Sequence, residues 1–303
     1  MYVFLALYFG AHLGTAQQVA DHGYNPAVEN PAYGNGQGPR IGIDEAHNNY
    51  HTATGRYAPF AKLVEVDGYQ VSPLSQAFTE SSLEGLDILV IANPLHVSNN
   101  GNWKLPTPSA FSDAEIAALH KWVEEGESLF LILDHMPFPG AGGKLAESFG
   151  FKFSNGFAYL GNSLGSEPDE FKPDAGLMDC VITRGRNKSE RITKMVTFTG
   201  SAFQPPEEAI EVLVLPENSI SKEPVKAWEF VDGTNVLDVS GWCQGAIMEV
   251  GEGRIAVFGE AASFSAQFSA RQKRRMGMAA PFAEQNQQFL LNILHWLSDL
   301  EGL

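Results

Sequence analysis

The stretch "SDAEIAALHKWVEEGESLFLILDH", residues 112–135, decides the fold. Ser112 followed three residues later by Glu115 is a capping box, so a helix starts there. Ile116, Leu119 and Val123 recur at helical spacing, and Gly126 stops the helix. "SLFLILDH" then runs apolar without alternation, as a strand buried on both faces does, and it ends on two titratable residues, Asp134 and His135. A capped amphipathic helix leading into such a strand is the repeating unit of a parallel sheet covered by helices.

The same unit recurs on either side. Ile41–Ile43 reads as a first strand, and "YAPFAKLVEVDG" (57–68) as a helix with Phe60, Leu63 and Val64 on one face and Gly68 as its stop. "YQVSPL" (69–74) and "LDILVIAN" (86–93) are further strands. After the decisive stretch come a short helix at "GGKLAESFG" (142–150) and a strand at "FKFSNG" (151–156). "AIMEVGEGRIAVFGEA" (246–261) is a hairpin turning at Gly251-Glu252-Gly253. The closing helix, "AEQNQQFLLNILHWLSDL" (283–300), puts Phe289, Ile293, Trp296 and Leu300 on one face. Between about 157 and 245 the pattern weakens, and strands are expected at "KMVTFTG", "AIEVLVLP" and "VKAWEFV". The organisation read from this is a signal peptide at 1–16, an extended lead-in at 17–40, and one α/β domain over 41–303 with a β-rich insertion at about 160–245.

The signal-peptide reading rests on residues 3–14, which are almost wholly uncharged and apolar, and on Gly14 and Ala16 at the positions a cut after Ala16 requires. That run is too short to span a bilayer, so a periplasmic or extracellular protein is expected, with no stable membrane insertion once the signal is removed. The formal net charge of −16 on 303 residues argues against nucleic acid, whose phosphates need a positive surface. Two cysteines, Cys180 and Cys243, could form one disulfide in an exported chain. Two basic clusters stand out, Arg184 to Lys194 and Arg271 to Arg275. The second lies soon after Glu260, and Arg271 is a candidate for steering an anionic ligand to a pocket rim.

The histidines point to where a site lies. His120 and His295 fall on helices off the apolar stripe and read as surface residues. His47, His51, His96 and His135 each follow the C-terminal end of a predicted strand, as do Asp44, Glu45, Asn48, Asn93, Asp134 and Glu260. In an open parallel sheet those ends share one edge, where ligands bind, and titratable groups converging in a cleft are the usual mark of a site. Three chemistries fit this set. A divalent metal is possible on His47, His51 and Asp134, since His47 and His51 are four apart, although the cofactor reading commits to none. Metal-free acid–base work would use His47 or His135 as base, with Asp134 or Glu260 orienting it. Binding without turnover suits amides and imidazoles that face a small molecule, a glycan or a peptide.

Three segments carry a resemblance: "IDEAHNNYHT" (43–52), "LFLILDHMPFPGAGGKLAESFG" (129–150), and "GRIAVFGEAASFSAQ" with "NQQFLLNILHWL" (253–267 and 286–297). They resemble a bacterial family of the class I glutamine amidotransferase-like superfamily, and are similar to amidotransferase-like domains of gliding-motility and intraflagellar-transport proteins. The resemblance covers about residues 38–160 and 245–300. It implies a flavodoxin-like or Rossmann-like three-layer sandwich with a mostly parallel sheet. True glutamine amidotransferases carry a cysteine nucleophile in the turn after a core strand. Here that turn is Leu133-Asp134-His135-Met136-Pro137, which holds neither cysteine nor serine, so the thioester route is absent. The expectation is a hydrolase-like exported protein. The alternative is a non-catalytic ligand-binding or scaffold domain of the cell envelope.

Overall fold

The computed structural model describes residues 18–161, 168–269 and 273–300. The signal-peptide reading at 1–16 and the candidate Arg271 lie outside the described residues.

Nine strands form the central sheet. In chain order its principal elements are β1 (Arg40–Asp44), α1 (Ala58–Val66), β2 (Gln70–Leu74), β3 (Ile88–Ala92), α2 (Asp113–Glu124), β4 (Ser128–Ile132) and α3 (Phe138–Ser148). They continue with β5 (Ile210–Val214), β6 (Cys243–Val250), β7 (Gly253–Phe258) and α4 (Asn286–Leu297). The strand order β2-β1-β3-β4-β7 is parallel throughout. From β7 onward the sheet turns antiparallel, through β6 to β5 on one branch and to the short strands Phe203–Gln204 and Lys152–Phe153 on the other. The sheet is therefore mixed rather than mostly parallel. The α/β layering holds.

Alternation along the parallel strands explains the two covered faces. Ile41, Ile43, Ile88, Val90, Phe130, Ile132, Ala256 and Phe258 face α1 and α4, where Phe60, Leu63, Phe289 and Ile293 complete one core. Leu89, Ile91, Leu129, Leu131, Ile255 and Val257 face α2 and α3, with Leu119, Val123, Leu145 and Ala146. The expected capping box is formed, since Ser112 accepts from the Glu115 amide while the Glu115 carboxylate accepts from Ser112.

Three expectations are corrected. "VKAWEFV" is not a strand, since residues 225–231 form turns whose one sheet-like contact is the Lys104–Lys226 bridge. Within 160–245, β5 and Phe203–Gln204 join the main sheet. What stands apart is an antiparallel trio, Phe157–Tyr159 with Ile220–Glu223 and Asn235–Asp238, and a pair, Asp169–Phe171 with Met195–Thr197. His295 is buried, because α4 is covered on nearly all sides. Its Nε2 lies 2.7 Å from the fully buried Asp67 carboxylate. Cys180 and Cys243 are separate buried thiols. No helix of the described residues is long and apolar enough to cross a membrane.

Candidate functional site

β1, β3, β4 and β7 lie side by side and parallel, so their C-terminal ends do share an edge. The edge is more tightly built than the sequence suggests. The loop after β1 is zipped to the loop after β3 by Tyr50 N–H donating to Asn93 O (2.9 Å) and Leu95 N–H donating to His47 O (2.8 Å). Glu45 closes the same loop by accepting from the Ala53 amide. Asn48, in the left-handed region at φ 48°, donates to Leu95 O. His96 caps the turn at Val97–Asn99, accepting from the Ser98 amide.

His47 has both ring nitrogens engaged. Nδ1 lies 2.9 Å from the Asp44 carboxylate and Nε2 lies 2.9 Å from Glu115 Oε1. Phe78 and Phe111 pack on the ring at 4.5 and 4.6 Å between centroids. Burial opposes the charged ring, but hydrogen bonds and charge from Asp44 and Glu115 outweigh it, so the His47 pKa is raised. Glu115 is held down at about 2: partial burial works against this, and its bonds to Ser112 and His47 prevail. His47 is thus an imidazolium clamp tying the loop after β1 to the start of α2, and it does not face Glu260.

His51 is also consumed, in the neutral form. Burial, Arg56 and His135 push its pKa well below the usual value. Nδ1 is 3.2 Å from Asn93 Nδ2, and Nε2 is 3.3 Å from Gln267 Nε2. A neutral ring has one N–H and one acceptor, so it cannot accept from two amide groups. Asn93 is fixed, because its Oδ1 accepts from the Asp134 amide. The Gln267 amide therefore presents Oε1 to His51, which gives that buried oxygen the donor it otherwise lacks.

Glu260 is buried and accepts from the Ala262 and Ser263 amides and the Ser263 hydroxyl, capping the turn at Ala262–Phe264. Burial first, and the neighbouring Asp134 charge second, raise its pKa to about 8 against those donors. Both carboxyls also act on the buried Tyr57, whose hydroxyl donates to Ala261 O. Asp134 Oδ1 accepts from the His135 amide, so Asp134 does not orient the His135 ring.

The metal set His47, His51 and Asp134 is not assembled. The two rings spend their nitrogens on different partners, and no group of three or more His, Cys, Asp or Glu among the described residues could hold a metal ion. Several members of the basic clusters are paired with acids: Arg184 and Arg191 share Asp179, Arg186 meets Glu190, Lys194 meets Glu284 and Arg275 meets Asp21. An open cleft of about 470 Å³ beside Met178, Cys180, Pro206 and Ile210 shares no residue with the edge.

His135 is different. Its Nδ1 donates to Met136 O (2.8 Å), which leaves Nε2 as an acceptor with no partner among the described residues. The ring stacks on Phe157 at 4.5 Å and 11°, and Trp228, Trp103 and Phe138 surround it at 4.7, 6.0 and 5.7 Å. Trp228 is 54% exposed and sits at φ 68°, a conformation rare for a bulky side chain. It is held there by a strap in which the Ala227 amide donates to Trp103 O and the Leu105 amide to Val225 O. Sequence reading missed Trp103, Phe157 and Trp228, whose signal was an aromatic-rich composition without position.

No family model and no curated protein sequence matches the chain. Among solved structures, the mmIFT52 N-terminal domain superposes with a TM-score of 0.58 at 17% identity, over 85% of this chain and 96% of that one. A cytoplasmic protein from Salmonella typhimurium LT2 gives 0.51 at 12% identity, over 86% and 99%. A thua-like protein from Bacteroides uniformis ATCC 8492 gives 0.47 at 12%, over 90% and 94%. The likeness shows the fold alone, a mixed α/β fold shared with the mmIFT52 N-terminal domain; in this chain the turn after β4 holds neither cysteine nor serine.

Proposed function

We propose that this chain is a ligand-binding domain built on an amidotransferase-like fold, with the strand-end edge around His135 as its recognition surface. One observation carries the reading. His47, His51 and Glu260 spend their polar atoms on the protein itself, whereas His135, itself 8% exposed, has an Nε2 with no protein partner among the described residues and packs against the exposed Trp228 indole. Catalytic groups need free atoms toward a substrate, and a saturated frame supports recognition better than turnover. The ligand is a small molecule, glycan or peptide, and an exported location belongs to the same proposal.

A hydrolase-like role is the second reading, favoured by the raised pKa of Glu260 beside Asp134. A buried carboxyl whose pKa is raised toward neutrality is what a general acid needs. Glu260→Gln separates the two. Binding predicts that ligand affinity survives Glu260→Gln within about twofold and drops about tenfold in His135→Ala, as loss of one buried hydrogen bond implies. Hydrolysis of chromogenic ester and glycoside panels, abolished by Glu260→Gln and falling as pH rises through about 8, would establish the enzyme instead.

A further inference from the structure

The aromatic strap is unusually specific in what it leaves exposed. Ring contacts within 6 Å run from Tyr50 through Trp103, Phe138 and His135 to Phe157, where they branch to Trp228 and to Phe230. Trp228 and Phe230, at one end, remain 54% and 38% exposed. A bulky residue held in the left-handed region at the surface is kept there by its surroundings, and such outliers cluster at ligand clamps. The indole meets both His135 and Phe157 at steep angles, 71° and 62°, so it cannot fold away without breaking those contacts.

The charges around it narrow the ligand. Lys222 lies over the Phe230 and Tyr159 rings with its ammonium 5.8 and 5.2 Å from the centroids, which disfavours a cationic ligand in the same place. The net charge of −16 and the open acceptor at His135 disfavour an anion. What remains is a neutral ligand that has an apolar flat face for an indole and groups at its edge that both donate, to His135 Nε2, and accept, from Lys222. A pyranose ring has that combination: C–H groups on one face and hydroxyls around the rim.

We infer that Trp228, packed on His135 and Phe157 with Lys222 over the neighbouring Phe230 ring, forms a stacking subsite for a neutral pyranose unit of a glycan; this rests on the edge being a recognition surface. The test is titration of the full chain, labelled on its indole nitrogens, with neutral gluco-, manno- and galacto-oligosaccharides, and separately with choline and a short uncharged peptide. The Trp228 signal is assigned by Trp228→Phe. The expected result is a saturable shift of that signal with at least one neutral oligosaccharide. Affinity should fall about tenfold or more in Trp228→Ala and stay within about threefold in Trp228→Phe. The exposure of the side chain lets both variants fold, which an unchanged amide spectrum checks. Sugar affinity unaffected by Trp228→Ala overturns the subsite. If choline or the peptide moves the Trp228 signal and no sugar does, the glycan class is overturned while the recognition edge stands. If no probe moves it, both fall.

Discussion

Replacing His47 by alanine is expected to destabilise the protein by about 3–5 kcal/mol, the cost of removing one partner from a buried ion pair. The ring is 7% exposed and bridges Asp44, fully buried, to Glu115, which lies 68 residues beyond His47. Without it, Asp44 keeps, among the described residues, the donors from the Ala46 amide and Asn49, and the loop after β1 loses this link to α2. The pH dependence identifies the cause. The His47 pKa is raised in the folded state, so its contribution is full below about 6.5 and drains as pH climbs through the higher folded value. Glu115 is depressed to about 2, so its contribution is full above about 4.5 and drains as pH falls toward 2. The stability gap between wild type and His47→Gln, measured by denaturant unfolding, should be widest between those limits and narrow on both sides. A gap under about 1 kcal/mol, or one independent of pH, would mean that the clamp carries no charge.

Phe157→Ala should also cost about 3–5 kcal/mol, as large aromatic deletions in a core do. Phe157 is fully buried, stacks under His135, and meets the edges of both Trp228 and Phe230. Its loss should therefore do more than lower the melting temperature. The near-ultraviolet circular dichroism of the aromatic row should weaken while the far-ultraviolet spectrum stays. An intact near-ultraviolet spectrum in a destabilised variant would show that Trp228 is held by its loop alone.

The sheet and its helices were legible because their signals are local. Apolar runs, a capping box and helical spacing each sit within one element, and the shared edge follows from parallel topology. The misreadings have a common physical origin in long-range pairing. Glu115 was legible as a cap, but its second oxygen also binds His47. His295 lies off the apolar stripe, yet Asp67, 228 positions away, buries with it. "VKAWEFV" alternates apolar and polar residues as a strand does, but Trp228 at φ 68° takes it out of extended geometry. The basic runs resembled a steering patch because their acidic partners, Asp179, Glu190, Glu284 and Asp21, are not all adjacent in sequence. The candidate residues lie at the C-terminal ends of the parallel strands, as their positions after apolar runs implied. Which of them has a free atom depends on hydrogen bonds between segments that sequence order keeps apart.

The central claim is that His47 and His51 are frame and His135 is contact. Imidazole nitrogen resonances of the full chain, followed as a saturating ligand from the oligosaccharide panel is added, test it most directly. The account predicts a His47 that keeps its second proton to higher pH than a free imidazole, a neutral His51 down to well below pH 6.5, and a ligand-induced shift confined to His135 Nε2. Ligand-induced shifts at His47 or His51, with His135 silent, would contradict it.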